Sequence, residues 1–254
     1  MISKNKIKQI HSLNQKKVRK AEGLYIAEGP KAVGDILVRH NAHDIIATRE
    51  WIDANPNVYE RAETVTEVSA DELARTSLLQ TPQQVIGVFE QPHVSIEQCS
   101  ARGQLVLALD GVQDPGNLGT IVRIADWFGI STIVCSTDTA DLYNPKAVQA
   151  TMGSIARVNV AYTDLPAWLS QQDADTQVFA TALDGENIYS TQLPQSAVIV
   201  MGNEGKGISA EVKAVVKRRL LIPCFNTSAD CPDSLNVAIA TAIACSEFRR
   251  VKAM

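Results

Sequence analysis

Three short segments combine polar or glycine-rich turns with the start of a helix-like stretch. They are residues 116–123 (GNLGTIVR), 201–207 (MGNEGKG) and 233–237 (DSLNV). The side-chain amide of Asn236 can orient a ligand, and Glu204 places a carboxylate at the centre of the second turn. Each segment alone is compatible with ordinary turn and cap chemistry. Together they predict one site, assembled from loops at the same edge of a sheet.

Arg123 is a charged residue in an apolar neighbourhood. It follows Ile121 and Val122 and precedes Ile124 in the helix-like stretch. A guanidinium beside an apolar seam needs an anionic partner, because an unpaired buried charge is costly. An ion pair with Asp126 or another carboxylate would meet this need within the protein, and a bound phosphate would meet it from a ligand. The sequence leaves both interpretations open.

The polar residues of these segments also have structural interpretations. Asn117 follows the turn sequence 114–116 (DPG) and is a candidate N-cap. Ser234 occupies a good N-cap position before a helix-like stretch, with Asn236 already inside the expected helix. Because Asn is a poor helix former, its amide is predicted to orient a ligand there.

The glycines of the second segment are spaced Gly-x-x-Gly-x-Gly from Gly202 to Gly207. This spacing matches neither the dinucleotide fingerprint Gly-x-Gly-x-x-Gly nor the Walker pattern. It still allows close approach of the backbone to a ligand and exposes amide donors. A Ser-His-Asp triad is excluded, because the four histidines all lie before the three segments, at His11, His40, His43 and His93.

Short apolar runs predict the elements that would position this site. They lie at residues 105–109, 132–135, 157–160, 177–181, 197–201 and 219–222, and a helix is expected over 208–218. Most runs are separated by segments of helical length, which predicts an α/β domain with a mostly parallel sheet flanked by helices. Ligands of such sheets bind beyond the carboxyl ends of the strands, where the three segments fall.

The first 90 residues alternate helix-like and strand-like pieces, with strands expected at 44–48 and 84–89. Residues 91–103 lose periodicity and combine Pro, Gly and polar residues, so they are the best linker candidate. The expected organisation is a small α/β domain over 1–90, a linker over 91–103 and a larger domain over 104–254.

Charge is distributed unevenly along the 254 residues, whose formal net charge is −4. Seven of the 24 Lys and Arg residues lie within the first 20 residues, which contain no acid. Such a basic arm could contact phosphates of a nucleic acid, or it could be a solvated, partly frayed helix. The acidic remainder argues against a nonspecific polyanion binder.

The five cysteines are scattered and form no Cys-x-x-Cys pair, at Cys99, Cys135, Cys224, Cys231 and Cys245. No histidine stands at metal-ligand spacing from them, so no metal site is expected. An odd number of scattered cysteines is typical of proteins in a reducing compartment. With a charged N-terminus and no apolar run of about 20 residues, the chain is expected to be cytoplasmic, without a membrane partner.

In order, residue type and placement, the three segments closely resemble the signature motifs of the SpoU/TrmH family of RNA 2'-O-ribose methyltransferases. The resemblance covers about residues 104–250, and a weaker one, carried by residues 81–88 (TPQQVIGV), likens the first 90 residues to a substrate-binding domain. It implies a deep trefoil knot at the C-terminal side, a homodimer, and S-adenosylmethionine as cofactor. The partner is then a structured ribosomal or transfer RNA. One departure is the segment 224–233, which is longer than in many relatives.

The resemblance also implies roles for individual residues. Cofactor contacts are implied for Thr181, Ala182, Leu183, Gly202, Ile222 and Leu235. The central catalytic role falls to Arg123, while Asn117 and Asn236 orient the ribose and Arg123, Ser234 fixes the loop, and Glu204 holds the knot or the substrate. Since arginine stays protonated, stabilising a developing alkoxide is a more defensible role for it than acting as a free base.

Two further functions compete with ribose methylation. One is a noncatalytic RNA-binding protein that keeps the knot, which the intact set of polar residues disfavours. The other is a related knotted enzyme that methylates a base, for which different catalytic residues would be expected.

Overall fold

The computed structural model describes residues 2–226 and 233–250, which fold as two compact units. The first unit comprises Met1–His93 and Asp141–Arg157, and the second comprises Val94–Ala140 and Val158–Met254. Cys231 and much of the long segment 224–233 lie outside the described residues.

The first unit is a four-stranded sheet with helices around it. Its elements are α1 (Lys4–Ser12), α2 (Lys16–Glu22), β1 (Leu24–Glu28), α3 (Pro30–Leu37), β2 (Ala42–Ala47), α4 (Arg49–Ala54), α5 (Val58–Arg61), β3 (Ala62–Glu67), α6 (Ala70–Thr76) and β4 (Val85–Glu90). The strand order is β1-β4-β2-β3, with β4 antiparallel to both neighbours and β2 parallel to β3. The two strands expected here are therefore present as β2 and β4.

The basic N-terminal segment is part of this unit's core. Ile10 and Leu13 are each 1% exposed and pack with Ile26 and Ile86 of the sheet. Five of its lysines are exposed, namely Lys4, Lys8, Lys16, Lys17 and Lys20. The segment is thus helical and not frayed, because an apolar face anchors α1 to the sheet.

Residues 141–157 belong to the compact first unit, although their position in the sequence predicts a place in the larger domain. They form α8 (Pro145–Thr151) and a 3-10 turn (Ser154–Ala156). The Arg19 guanidinium is buried, donates to Asp141 Oδ2 at 2.5 Å, and also donates to the carbonyl of Leu13 at 2.8 Å. These bonds and the packing of α8 on β1 tie the segment to the first unit.

The second unit is a six-stranded parallel sheet flanked by helices. Its elements are a 3-10 turn (Ile96–Gln98), β5 (Leu105–Asp110), α7 (Pro115–Trp127), β6 (Thr132–Ser136), β7 (Asn159–Thr163), α9 (Leu165–Ser170), β8 (Gln177–Asn187), β9 (Ala197–Gly202), α10 (Ala210–Val215), β10 (Arg218–Leu221) and α11 (Val237–Arg250). The order is β10-β8-β9-β5-β6-β7, and every pairing is parallel. All six residues of β5 are buried, as expected for a strand covered on both faces.

Three predicted boundaries in this unit are wrong. A 3-10 turn precedes β7, so the strand begins at Asn159 rather than at 157. Strand β8 continues to Asn187 instead of ending at 181. Helix α10 is shorter than 208–218, because Ser209 caps its start and β10 already begins at Arg218. Among the described residues, no helix has the length and apolar character needed to cross a membrane.

Candidate active site

The first site segment begins helix α7, and its cap is Asp114. The Asp114 side chain accepts a hydrogen bond from the Asn117 backbone amide at 2.9 Å, and Pro115 occupies the first helical turn. Asn117 therefore lies inside the helix, and its predicted role as N-cap is wrong. Because the cap is provided by Asp114, the Asn117 side chain can make other contacts.

The side chains of Asn117, Glu204 and Asn236 form a continuous chain of hydrogen bonds. Asn117 Nδ2 donates to Glu204 Oε1 at 2.8 Å, and Asn236 Nδ2 donates to Asn117 Oδ1 at 3.0 Å. We call this chain the polar relay. It joins all three sequence segments at the carboxyl edge of the sheet, as predicted.

Asn236 also caps the last helix. Its Oδ1 accepts from the backbone amides of Ala238 at 3.0 Å and Ile239 at 3.3 Å. The assignment of the cap to Ser234 is therefore wrong, and Asn236 precedes α11 instead of lying within it. Asn is among the strongest capping residues, so its place just before the helix follows from its chemistry. The same amide group holds the helix through its oxygen and the relay through its nitrogen.

The glycine-rich loop is closed by Asn203, which the sequence patterns did not single out. The backbones of Asn203 and Gly207 exchange two hydrogen bonds of 2.9 Å, and Asn203 Oδ1 accepts from the amides of Gly205 and Lys206 at 3.0 Å. A Cβ on Gly202 would lie 2.4 Å from the Gly207 carbonyl carbon, so only glycine fits there. The signal for Asn203 was present in the sequence, since Asn commonly bonds to backbone amides two residues ahead in turns.

A five-residue bulge in β8 forms another wall of the site, beside the glycine-rich loop. Arg219 pairs with Ala180, but the next residue, Leu220, pairs with Glu186, so residues 181–185 lie outside the ladder. A Cβ on Gly185 would come within 2.6 Å of the Arg219 and Leu220 backbones. The glycine thus permits the strand to return to β10 after the bulge.

The bulge, the glycine-rich loop and the chain before α11 enclose a cavity of about 470 Å³. All six residues expected to contact a cofactor line it: Thr181, Ala182, Leu183, Gly202, Ile222 and Leu235. Glu204 and Ser234 line it as well. Its size is in the usual range for small-molecule pockets.

The charged groups on the cavity wall have both signs. Lys206 and Lys213 line it together with Asp184 and Asp233. S-adenosylmethionine has a carboxylate, an ammonium and a sulfonium beside apolar and aromatic parts, so the cavity matches it in size and in charge types. No group of three or more potential ligands that could hold a metal occurs among the residues that the structure describes.

Arg123 lies apart from this cavity. It is on α7, six residues and therefore about 9 Å along the helix from Asn117, and its side chain is exposed. None of the ion pairs among the described residues includes Arg123, so the pairing with a carboxylate such as Asp126, which the sequence left open, is not observed. The buried residues of α7 include the neighbouring Ile121 and Val122, and the exposed guanidinium lies on the opposite, solvent-facing side.

Comparison with known protein families gives one match in the N-terminal part of the chain and one in the C-terminal part. Residues 104–246 match the SpoU rRNA methylase family, and residues 4–87 match the MRM3-like substrate binding domain. The chain is 31% identical over 241 residues to the 23S rRNA (guanosine(2553)-2'-O)-methyltransferase of Bacillus subtilis, covering 94% of this chain and 93% of the relative.

Solved structures with the same fold extend over nearly the whole chain. A protein of Porphyromonas gingivalis assigned to the TrmH family is 41% identical with a TM-score of 0.88, covering 99% of both chains. The AdoMet-bound rRNA methyltransferase of Sinorhizobium meliloti is 33% identical with a TM-score of 0.86, covering 99% of this chain and 96% of that one. On this match of sequence and fold, the chain belongs to the SpoU rRNA methylase family.

Proposed function

We propose that this chain transfers the methyl group of S-adenosylmethionine to the 2'-hydroxyl of a ribose in ribosomal RNA. The observation that supports this most strongly is the polar relay, which brings three distant segments together beside a cavity lined by all six expected cofactor residues. Two of the relatives that span almost the full chain, those of Bacillus subtilis and Sinorhizobium meliloti, are named rRNA methyltransferases, which favours rRNA over tRNA.

S-adenosylmethionine would lie in the cavity between the β8 bulge and the glycine-rich loop, with Gly202, Ile222 and Leu235 offering backbone groups. The cofactor supplies an electrophilic methyl group on a positively charged sulfur. The protein's task is then to hold the ribose hydroxyl about 3 Å from that carbon and to exclude other orientations.

Arg123 would act on the substrate rather than on the cofactor. Its guanidinium is exposed and has no carboxylate partner among the described residues, so it is available to an RNA phosphate and to the ribose oxygen. Because arginine remains protonated, it would stabilise the negative charge that develops on the oxygen. The hydroxyl proton would pass to solvent water as the oxygen–methyl bond forms and the sulfur–methyl bond of the cofactor breaks.

The polar relay would fix the substrate side of the site. Glu204 accepts from Asn117, and Asn117 accepts from Asn236, so each amide has a defined orientation. This arrangement positions the ribose, with Ser234 on the same cavity wall holding the adjacent turn. These residues are polar and partly exposed, as an RNA-facing site requires.

A homodimer and a C-terminal deep trefoil knot complete the proposal. Helix α7 exposes 84% of Trp127, the first turn of α11 exposes 53% of Ile239, and Leu235, two residues before α11, is 48% exposed. These helices pack on each other, and large exposed apolar groups on such a pair favour an interface with a second copy. For the knot, the support is the close passage of the chain around Gly202 and Gly185.

RNA would be held by the first unit. The five exposed lysines of α1 and α2 provide positive charge for phosphate contacts.

The cytoplasm is the proposed location. Unpaired, buried thiols at Cys99, Cys135 and Cys245 are consistent with a reducing compartment.

Calorimetric titration with S-adenosylmethionine tests the cofactor site. Gly202→Ala should lose affinity, because the new Cβ would collide with the backbone of the loop that forms the cavity wall. Gly34→Ala is the matched control, since its Cβ meets no atom within 4 Å. Equal affinity for the two variants, with both proteins folded by circular dichroism, would remove the glycine-rich loop from the cofactor site.

A further inference from the structure

Tyr189 and Phe225 form an exposed aromatic pair in the second unit. Their ring centroids are 6.5 Å apart and the ring planes differ by 25°. Phe225 is 81% exposed and Tyr189 is 43% exposed. We call these two residues the aromatic platform. Both rings present surface to solvent that packing within the protein does not use.

The platform is anchored to the wall of the cofactor cavity but does not line it. The backbone amide of Ile188 donates to the carbonyl of Leu221 at 2.9 Å, which holds the residue before Tyr189 against a cavity-lining residue. Phe225 follows the cavity residue Ile222 by three positions, so their Cα atoms lie within about 11 Å. The platform is therefore beside the cavity, within reach of a substrate nucleotide or its neighbour.

Charged groups flank the strands from which the two rings emerge. Arg219 pairs with Asp184, and Arg218 Nη2 lies 3.4 Å from Glu186 Oε2, all on exposed side chains. The cores of protein–protein interfaces are depleted in charged residues. Because the strands that lead to the two rings carry exposed ion pairs, the rings fit a flat, polar-edged nucleobase better than the apolar face of a second subunit.

We propose that the aromatic platform stacks on an unpaired base of the RNA substrate, next to the nucleotide that is methylated. This assignment rests on the proposed function, because it takes the cavity to be the methyl-donor site. Every base has a π-face, so stacking on Tyr189 and Phe225 would give affinity with little sequence preference. The platform positions the strand and takes no part in the chemical step.

Binding to two fluorescent oligonucleotides isolates the stacking contribution. One probe is oligoadenylate of about 12 nucleotides, and the other is an abasic oligomer of equal length and charge. The full-length protein should bind oligoadenylate more tightly. Phe225→Ala and Tyr189→Ala should each weaken oligoadenylate binding about 5- to 100-fold and leave the abasic oligomer unaffected. Phe225→Tyr, which keeps the ring, should restore binding.

Tyr162→Ala is the matched control. Tyr162 is 38% exposed on β7, the strand at the opposite edge of the same sheet from β10. Removing this ring should leave both affinities unchanged. With rRNA as substrate, Phe225→Ala should raise KM and leave kcat unaltered. The dissociation constant of S-adenosylmethionine should also stay unaltered.

Several outcomes would overturn the assignment. For either alanine variant, these are an unchanged affinity for oligoadenylate, an equal loss of affinity for both oligomers, or a loss of S-adenosylmethionine binding. A halved mass of Phe225→Ala in sedimentation would also overturn it, because the platform would then be an interface with a second copy of the chain. Failure of the proposed function is distinguishable, since the unsubstituted protein would then bind no S-adenosylmethionine while still preferring oligoadenylate over the abasic oligomer.

Discussion

The two units use their polar side chains in different ways. The first unit buries charged side chains that form ion pairs or hydrogen bonds within the unit: Arg19 is 2% exposed and pairs with Asp141, and Glu28 is 5% exposed and accepts from the Leu78 amide at 2.9 Å. Burial raises the pKa of the Glu28 carboxyl above its ordinary value. In the second unit the relay residues stand at the edge of the sheet, partly open to solvent.

This difference separates structural from functional charge. Neither partner of a buried ion pair is available to a ligand. An exposed guanidinium without a carboxylate partner can bind an anionic ligand. By this comparison, Arg19 and Arg123 should give opposite results when they are replaced, one in stability and the other in activity.

Arg19→Leu should produce the largest effect on folding. Removing one partner of a buried pair leaves Asp141 without its cation, which should lower the free energy of unfolding by about 3–5 kcal/mol. Chemical denaturation measures this. The control Arg39→Leu changes an exposed arginine of the same unit and should stay within about 0.5 kcal/mol. A small loss for Arg19→Leu would show that its charge is not structural.

Arg123→Ala should produce the complementary result. Methyl transfer should fall by about 10²–10³-fold or more, since one electrostatic stabiliser of the developing oxyanion is lost. Unfolding free energy should change by no more than about 0.5 kcal/mol, because the side chain is exposed, and affinity for S-adenosylmethionine should persist. Retained activity would exclude Arg123 from the mechanism.

Asn236 allows the structural and functional roles of one side chain to be separated. Asn236→Ala removes the cap and the relay, and should cost about 1 kcal/mol of stability and on the order of 10- to 100-fold in activity. Asn236→Ser retains a capping oxygen but loses the amide donor to Asn117. It should recover the stability and not the activity; recovery of both would make the cap the only role of Asn236.

The lysines of α1 and α2 should have the smallest effect. Replacing Lys4, Lys8, Lys16, Lys17 and Lys20 by Gln should reduce the slope of log affinity for rRNA against log salt by about 0.7 to 0.9 for each phosphate that is no longer neutralised. The modified nucleotide should stay the same. Truncation of residues 1–20 is unsuitable, because it would remove Ile10 and Leu13 from the core. A salt slope equal to that of the unsubstituted protein would leave these lysines without an RNA role.

Periodicity and turn chemistry predicted the parallel sheet and its strands, since continuous apolar runs are what doubly covered strands require. The family resemblance, and not the local pattern, predicted cofactor contacts for Leu183 and Ile222. In the structure both residues line the same cavity. The direction of Arg123 could not be predicted, because its apolar neighbours in sequence lie on the other face of α7.

Other features depend on contacts between distant segments. Local sequence places the cap of α11 at Ser234 instead of Asn236, since both are good capping residues two positions apart. The return of residues 141–157 to the first unit rests on the pair Arg19–Asp141, whose members are 122 positions apart. Local patterns do not encode such pairings.

The most direct test of the central claim is transfer of labelled methyl from S-adenosylmethionine to rRNA that lacks the modification, followed by nuclease mapping of the labelled nucleotide. Ribose methylation at the 2'-oxygen is the predicted product, and its rate should fall by about 10²–10³-fold or more with Arg123→Ala. A label on the base, or no transfer by a protein that binds the cofactor, would contradict the account.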